Sequence, residues 1–162
     1  MASHETSPTR VAFRRATAAD APEVATVYIA SRRGAAAWLP TVGTDDEIRA
    51  FVVHRMVPER ETWVAEDSGR IVAVLVLDGD MVDQFYVSPG DQRRGVGDAM
   101  LAQAKRMRPA GLRLFAFQRN TPARRFYEAR GFIARYFTDG ATNMEREPDV
   151  FYEWGPQLPP RS

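Results

Sequence analysis

"SPGDQRRGVGDAM", residues 88–100, follows the strand-like run "MVDQFYV" and leads into a helix-like one, and its reading decides the rest. Inside a helix, glycine costs about 1 kcal/mol relative to alanine. Gly95 and Gly97 nevertheless open a helix whose apolar face reads Val96, Met100, Ala104 and Met107. Glycine clears a side chain where a ligand must approach the backbone. A strand, a tight turn and a helix N-terminus also converge backbone N–H groups on one point, which suits an anion such as a phosphate. Arg93 and Arg94 add positive charge beside it. The turn has no Lys-Ser/Thr pair of a Walker loop, and Met100 stands where a dinucleotide fingerprint needs its third glycine.

Outward from that turn, the chain alternates in period. "VAFRRAT" reads as a strand. Thr17 with Asp20, and Thr44 with Glu47, have the spacing of capping boxes that open two helices. Val24, Val27, Tyr28 and Ser31 share a stripe of the first; Ile48, Phe51 and Val52 share one of the second, which Pro58 closes. Trp38 falls in the loop between them. "ETWVAE", "RIVAVLVL" and "MVDQFYV" read as strands joined by tight turns, hence antiparallel. The near-continuous apolar run of the middle strand predicts cover on both faces. After the glycine turn come a helix, the strand "LRLFAF", a short helix "TPARRFYEAR" with Pro122 in its first turn, and the strands "GFIARYF" and "DVFYEW". The helical crossover makes the strands at 81–87 and 112–117 parallel. The fold class is therefore α/β in the α+β sense: a mixed, mostly antiparallel sheet with one parallel pair and helices on both faces. A single domain over 10–155, with flexible tails at 1–9 and 156–162, fits a chain of 162 residues.

Composition excludes several function classes. The absence of cysteine removes disulfides, cysteine zinc sites and thiol nucleophiles. With only His4 and His54, neither a histidine-ligated metal nor a Ser-His-Asp triad is supported. A net charge of +1 is no nucleic-acid footprint. No apolar run approaches the roughly 18–20 residues that span a bilayer, and the N-terminus lacks the apolar core of a signal peptide. The expectation is a soluble cytoplasmic protein with no metal, no nucleic-acid partner and no membrane partner.

"QRRGVG", residues 92–97, resembles the acyl-CoA pyrophosphate loop of the GNAT N-acetyltransferases, and 85–101 resembles that family's strand-loop-helix unit throughout. "NTPARRFYEARGF" at 120–132 resembles its second signature, with Asn120, Ala123, Phe126, Tyr127, Gly131 and Phe132 in place. The derived element order is similar to the family fold over roughly 10–155. The resemblance implies acetyl-CoA as cosubstrate and a GNAT-type acyl-CoA N-acyltransferase fold with a splayed parallel strand pair. It implies that the backbone of Phe85, Tyr86 and Val87 pairs with the pantetheine arm. It implies that Gln92, Arg93, Arg94, Gly95, Val96, Gly97 and Asp98 cradle the pyrophosphate, and that Asn120 lies near the acyl end. Asp98 departs from the family's usual Ser, Thr or basic residue. Tyr127 is implied as the acid that protonates the leaving thiolate, and Val87 N–H as the oxyanion donor.

Without a thiol or an activated serine, direct attack by a bound amine is simpler than a covalent acyl-enzyme. Asp83 is one candidate base, through water, though it reads equally well as a polar residue on the strand's outer face. Tyr28, Arg32, Arg33 and Trp38 are candidates for one wall of an acceptor pocket. The loop before the last strand offers Asp139, Glu145, Glu147 and Asp149, of which Glu147 or Asp149 is expected to face that pocket. The arginines favour an acceptor that bears an anionic group. The expected function is N-acetylation of a primary amine on a small molecule or peptide. Alternatives are an inactive acyl-CoA-binding sensor or scaffold, O-acylation, and a longer acyl donor. A homodimer is carried over by analogy with relatives.

Overall fold

The computed structural model describes residues 11–35, 37–40, 43–92 and 94–156. Arg93, most of the expected C-terminal tail and the whole expected N-terminal tail lie outside the described residues. Seven strands form one sheet in the order β1-β2-β3-β4-β5-β7-β6. They are β1 (Ala12–Arg15), β2 (Glu61–Asp67), β3 (Arg70–Asp78), β4 (Met81–Val87), β5 (Leu112–Phe117), β6 (Ile133–Phe137) and β7 (Asp149–Trp154). Every neighbouring pair is antiparallel except β4 and β5. The helices are α1 (Ala21–Ala35), α2 (Asp45–Phe51), the short α3 (Val57–Glu59), α4 (Val96–Met107) and α5 (Thr121–Ala129).

The buried run of β3 explains why helices cover both faces. Ala73, Leu75 and Leu77 pack with Met100, Leu101 and Ala104 of α4. Val74 and Val76 face the other way, onto Val24 and Val27 of α1 and onto Val52 and Met56. The helix ends follow local chemistry. Asp20 accepts the Thr17 backbone N–H at 2.7 Å, and the Thr44 hydroxyl accepts from Glu47 N–H at 3.2 Å. One expectation fails by a residue: the second helix does not stop at Pro58 but runs on to Glu59. A π-helical turn at Val52–Met56 intervenes, with Val57 N–H reaching back to the Val52 carbonyl. A proline ring collides with the carbonyl four residues back in a regular α-helix; the wider turn relieves that collision.

Two details position the site. The β3–β4 register shifts between Val76 and Leu77, which pair with Gln84 and Val82, so Asp83 is the extra residue of a bulge. The parallel pair β4–β5 meets at Met81 and Arg113, where Arg113 N–H donates to the Asp80 carbonyl at 2.9 Å. Arg113 closes this end of the pair, its guanidinium held by Asp80 at 2.7 Å and Glu153 at 2.8 Å. Among the described residues Met81–Arg113 is the one β4–β5 pair, whereas on its other edge β5 pairs with β7 from Leu112 to Phe117. A wedge therefore opens between β4 and β5.

Candidate active site

The wedge exposes backbone that wants partners. Ser88 N–H donates to the Val72 carbonyl of β3 at 2.8 Å. Strand groups alternate sides, so the backbone N–H and C=O of Phe85 and Val87 face away from β3, toward the wedge. The Val87 carbonyl accepts the Ser31 hydroxyl at 2.8 Å and Gln92 Nε2 at 3.4 Å. An extended chain with amide groups can add to such an edge as another strand.

At the wide end of the wedge stands the glycine turn. Gly95 caps α4 with φ +80°, a left-handed conformation that favours glycine. A Cβ on Gly97 would lie 3.4 Å from the Phe126 ring, so the first turn of α4 sits tight against α5. Gln92, Gly95 and Gly97 line a cavity of about 560 Å³ together with Asn120, Phe126 and Tyr127. Backbone amides at a helix N-terminus, no intervening side chain and the open edge of β4 fit a diphosphate joined to a pantetheine-like arm.

The charges around the turn differ from a simple cationic cradle. Arg94 is turned onto two carboxylates, Asp91 at 2.5 Å and Asp67 at 2.8 Å, and the side chain of Asp91 is almost wholly buried. Arg94 thus braces the turn against the β2–β3 hairpin. The guanidinium beside the glycine turn in this cavity is that of Arg130, stacked 3.8 Å over the Phe126 ring; Arg32 lines the cavity as well. Arg130 forms an ion pair with Asp98, whose hydrogen bond holds the Asp98 carboxyl below the usual carboxylate range. The negative charge that Asp98 brings to the helix start is therefore balanced. Sequence reasoning missed Arg130; its signal was an arginine in "EARGF", within the second signature.

Asn120 and Tyr127 sit where this cavity meets a second one. Asn120 caps α5, its Oδ1 accepting Ala123 N–H at 3.2 Å, and it lines both cavities. Tyr127 also lines both. Its ring is packed by Phe126, Phe132, Phe85 and Tyr152. Among the described residues none hydrogen-bonds to its hydroxyl. Burial pushes its pKa well above the ordinary tyrosine value, so the group stays protonated at neutral pH. This neutral hydroxyl, without a partner among the described residues, stands where the two cavities meet.

The second cavity, of about 1120 Å³, is lined on one side by Tyr28, Arg32 and β4, and on the other by β5 and the β6–β7 loop. Tyr28 and Tyr86 are in ring contact at 4.6 Å, and the Tyr86 hydroxyl donates to Gln84 Oε1. Burial pushes the Tyr86 pKa up. Asp83 lines this cavity, in an ion pair with Arg60 at 2.6 Å. Asp149 lines it too, buried and held by the Thr138 hydroxyl and by Asn143 Nδ2 at 3.2 Å. Glu147 is instead directed at Arg119, 3.7 Å away, and does not line the cavity. Trp38 lies beside the site, edge-on to Phe117 and under the Arg119 guanidinium, and lines neither cavity. The loop acid nearest Arg32 is Glu145, at 3.4 Å. Among the described residues no group of three acids or histidines could hold a metal, and no helix is long and apolar enough to cross a membrane.

A mixed seven-stranded sheet with one splayed parallel pair, and a glycine turn leading into a helix at that splay, is the architecture of the GNAT acyltransferases. Residues 58–134 match the acetyltransferase (GNAT) domain family. The peptidyl-lysine N-acetyltransferase YiaC of Escherichia coli is 34% identical over 73 residues, 44% of this chain and 49% of that protein. The peptidyl-lysine N-acetyltransferase YjaB of Salmonella typhimurium is 30% identical over 82 residues, 50% of this chain and 56% of that protein. The chain thus spans about half the length of these curated relatives. Among solved structures, apo YjaB from Escherichia coli superposes with a TM-score of 0.76 at 22% identity, over 90% of this chain and 99% of that one. A paiA N-acetyltransferase from Thermoplasma acidophilum, solved with coenzyme A, gives 0.69 at 14% identity, over 90% and 98%. These two structures speak for the fold. Over residues 58–134 the chain is thus similar to the GNAT acetyltransferases, and the proteins it resembles in sequence are named N-acetyltransferases.

Proposed function

We propose that the protein is an acetyl-CoA-dependent N-acetyltransferase that moves an acetyl group directly to a primary amine of a small molecule or peptide. The observation that carries this reading is Tyr127, buried and without a hydrogen-bond partner among the described residues, lining both cavities beside the open edge of β4. The names of YiaC and YjaB as peptidyl-lysine N-acetyltransferases support an amine acceptor. An inactive acyl-CoA sensor has no need of that hydroxyl.

In this mechanism acetyl-CoA supplies an activated acetyl group as a thioester. Phe85 and Val87 hold its pantetheine arm through backbone groups, and the amides around Gly95 and Gly97 hold the diphosphate. Val87 N–H faces the wedge and stabilises the oxyanion that develops at the acetyl carbonyl. Tyr127 gives its proton to the departing sulfur. A lysine-like amine with a pKa near 10.4 is neutral about one time in a thousand at pH 7.4, a deficit of roughly 4 kcal/mol. The Arg32 cation, lining both cavities, favours the neutral amine. Asp83, tied to Arg60, acts as a base only if that pair opens.

The reading includes a cytoplasmic location and a homodimer. β6 is an edge strand with Ile133 and Tyr136 exposed on one face and Phe137 on the other, an edge that a second copy would cover. Calorimetric titration with acetyl-CoA, followed by a thiol assay across an amine panel, tests the activity. Binding with thiol release supports it; binding with no release from any amine returns the sensor reading; no binding refutes both.

A further inference from the structure

One ion pair in the larger cavity joins two elements that sequence keeps far apart. Arg32, on the last turn of α1, points Nη1 and Nη2 at one carboxylate oxygen of Glu145, in the β6–β7 loop, at 3.5 and 3.4 Å. Their side chains are only 20% and 17% exposed. The comparably shielded pairs Arg108–Glu61, at 2.5 Å, and Arg113–Asp80, at 2.7 Å, are closer, whereas the longer Arg119–Glu147 pair has an exposed arginine. Shielded charges need close and well-aligned partners to offset their lost hydration. A long contact between two shielded charges that line a cavity is one that a ligand can improve. Tyr28 adds an oxygen 3.3 Å from Arg32 Nη1, on the same wall. Arg32 also lines the smaller cavity, alongside Tyr127, so a group bound to it lies close to the transfer site.

We propose that the acceptor is a zwitterionic amine, an α-amino acid or a close analogue, whose carboxylate is taken by Arg32 and whose amine is taken by Glu145. This rests on the N-acetyltransferase reading. The guanidinium fork matches a carboxylate in two parallel hydrogen bonds. Amine and carboxylate of an α-amino acid lie roughly 3 Å apart, from ordinary bond lengths, so both ends reach the pair at once. One long contact is exchanged for two charge-assisted ones. Glu145 removes the first proton of the ammonium. The nitrogen lone pair then forms the C–N bond, the C–S bond breaks, and its electron pair leaves on sulfur. Tyr127 supplies that sulfur's proton. The second amine proton returns through water to Tyr127, and Glu145 passes its proton to solvent. A lysine side chain within a peptide has no neighbouring carboxylate and leaves Arg32 unserved.

The experiment compares thiol release from acetyl-CoA with free amino acids, with the corresponding amino acid amides, and with a terminally blocked lysine peptide. The expected result is a kcat/KM at least ten-fold higher for one or more amino acids than for its own amide or for the peptide. Arg32→Gln is expected to erase that ratio by raising the amino acid's KM, and Arg32→Lys to restore part of it. Calorimetric binding of acetyl-CoA to each variant verifies that it is folded. An amide or blocked peptide that matches or exceeds every amino acid overturns the proposal, as does an Arg32→Gln variant that slows amide and amino acid alike. Acetyl-CoA binding without thiol release from any amine instead overturns the underlying N-acetyltransferase reading, and this inference with it.

Discussion

The role proposed for Tyr127 rests on the surroundings of one side chain. Four aromatic rings exclude water from its ring, and burial keeps the hydroxyl protonated. Replacing it by phenylalanine leaves the packing intact and removes only the proton. Tyr127→Phe is expected to lower turnover by ~10²–10⁴ while acetyl-CoA affinity is unchanged in a calorimetric titration; an unaltered rate assigns the acid elsewhere. Gly97 works through absence. A Cβ there already comes to 3.4 Å from Phe126. Gly97→Glu would fill the space before the helix N-terminus and place a negative charge in it. Acetyl-CoA binding is expected to be lost from the same titration, and unchanged affinity would remove the glycine turn from the binding site. Both residues were legible in the sequence because they belong to short motifs with fixed local geometry. Arg130 and Glu145 were not singled out. Their partners, Asp98 and Arg32, lie 32 and 113 residues away, and no local pattern encodes such pairings.

At the scale of elements, β4, β5 and β7 fall where alternation and turn residues put them, with the parallel pair as expected. The helix expected to close at Pro58 runs one residue further, by way of a π-helical turn that the local rule does not foresee. The β6–β7 loop was harder to read, since four acids in an irregular segment carry no period. Its shape is set by backbone contact. Asn143 Nδ2 donates to the Glu147 carbonyl at 2.7 Å, and Asn143 Oδ1 accepts Glu147 N–H at 3.2 Å. Gly140 has φ +78°, and a Cβ on it would lie 2.4 Å from the Glu147 carbonyl. Gly140→Ala therefore combines left-handed strain with a backbone collision. A loss of about 2 kcal/mol is expected, or a Tm lower by ~4–8 °C in a thermal melt. An unchanged Tm would mean that the loop is not anchored in this way.

Among the described residues two apolar clusters pack, one on each face of the sheet, and the wedge opens where β4 and β5 share a single pair. The binding seam is thus a property of topology. The crossover helix revealed it in the sequence, whereas the extent of the splay became visible only in the strand pairing. Charge also acts at this scale. Arg14 of β1 holds Asp20, at the entry to α1, and Glu66 of β2, each at 2.7 Å. The Arg14 hydrogen bond keeps the Asp20 carboxyl far below its ordinary value. The unfolded chain therefore binds this proton more readily than the folded one. The stabilisation is complete above about pH 4, the unfolded value, and is lost as pH falls through the folded one. Urea unfolding between pH 7 and pH 2 is expected to show stability decreasing below about pH 4, with Asp20→Asn flattening part of that slope. A slope identical in the variant would place the acid sensitivity in other carboxylates.

The central claim is that the backbone of β4 at the wedge, beside the glycine turn, receives the acyl-CoA arm. Amide hydrogen exchange of Phe85 and Val87, followed by NMR with and without acetyl-CoA, tests it most directly. Their N–H groups face the wedge, whereas Ser88 N–H is already bonded to Val72. Exchange at Phe85 and Val87 is expected to slow on addition of acetyl-CoA, with Ser88 little changed. Exchange at Phe85 and Val87 that is unaffected by saturating acetyl-CoA would contradict the account.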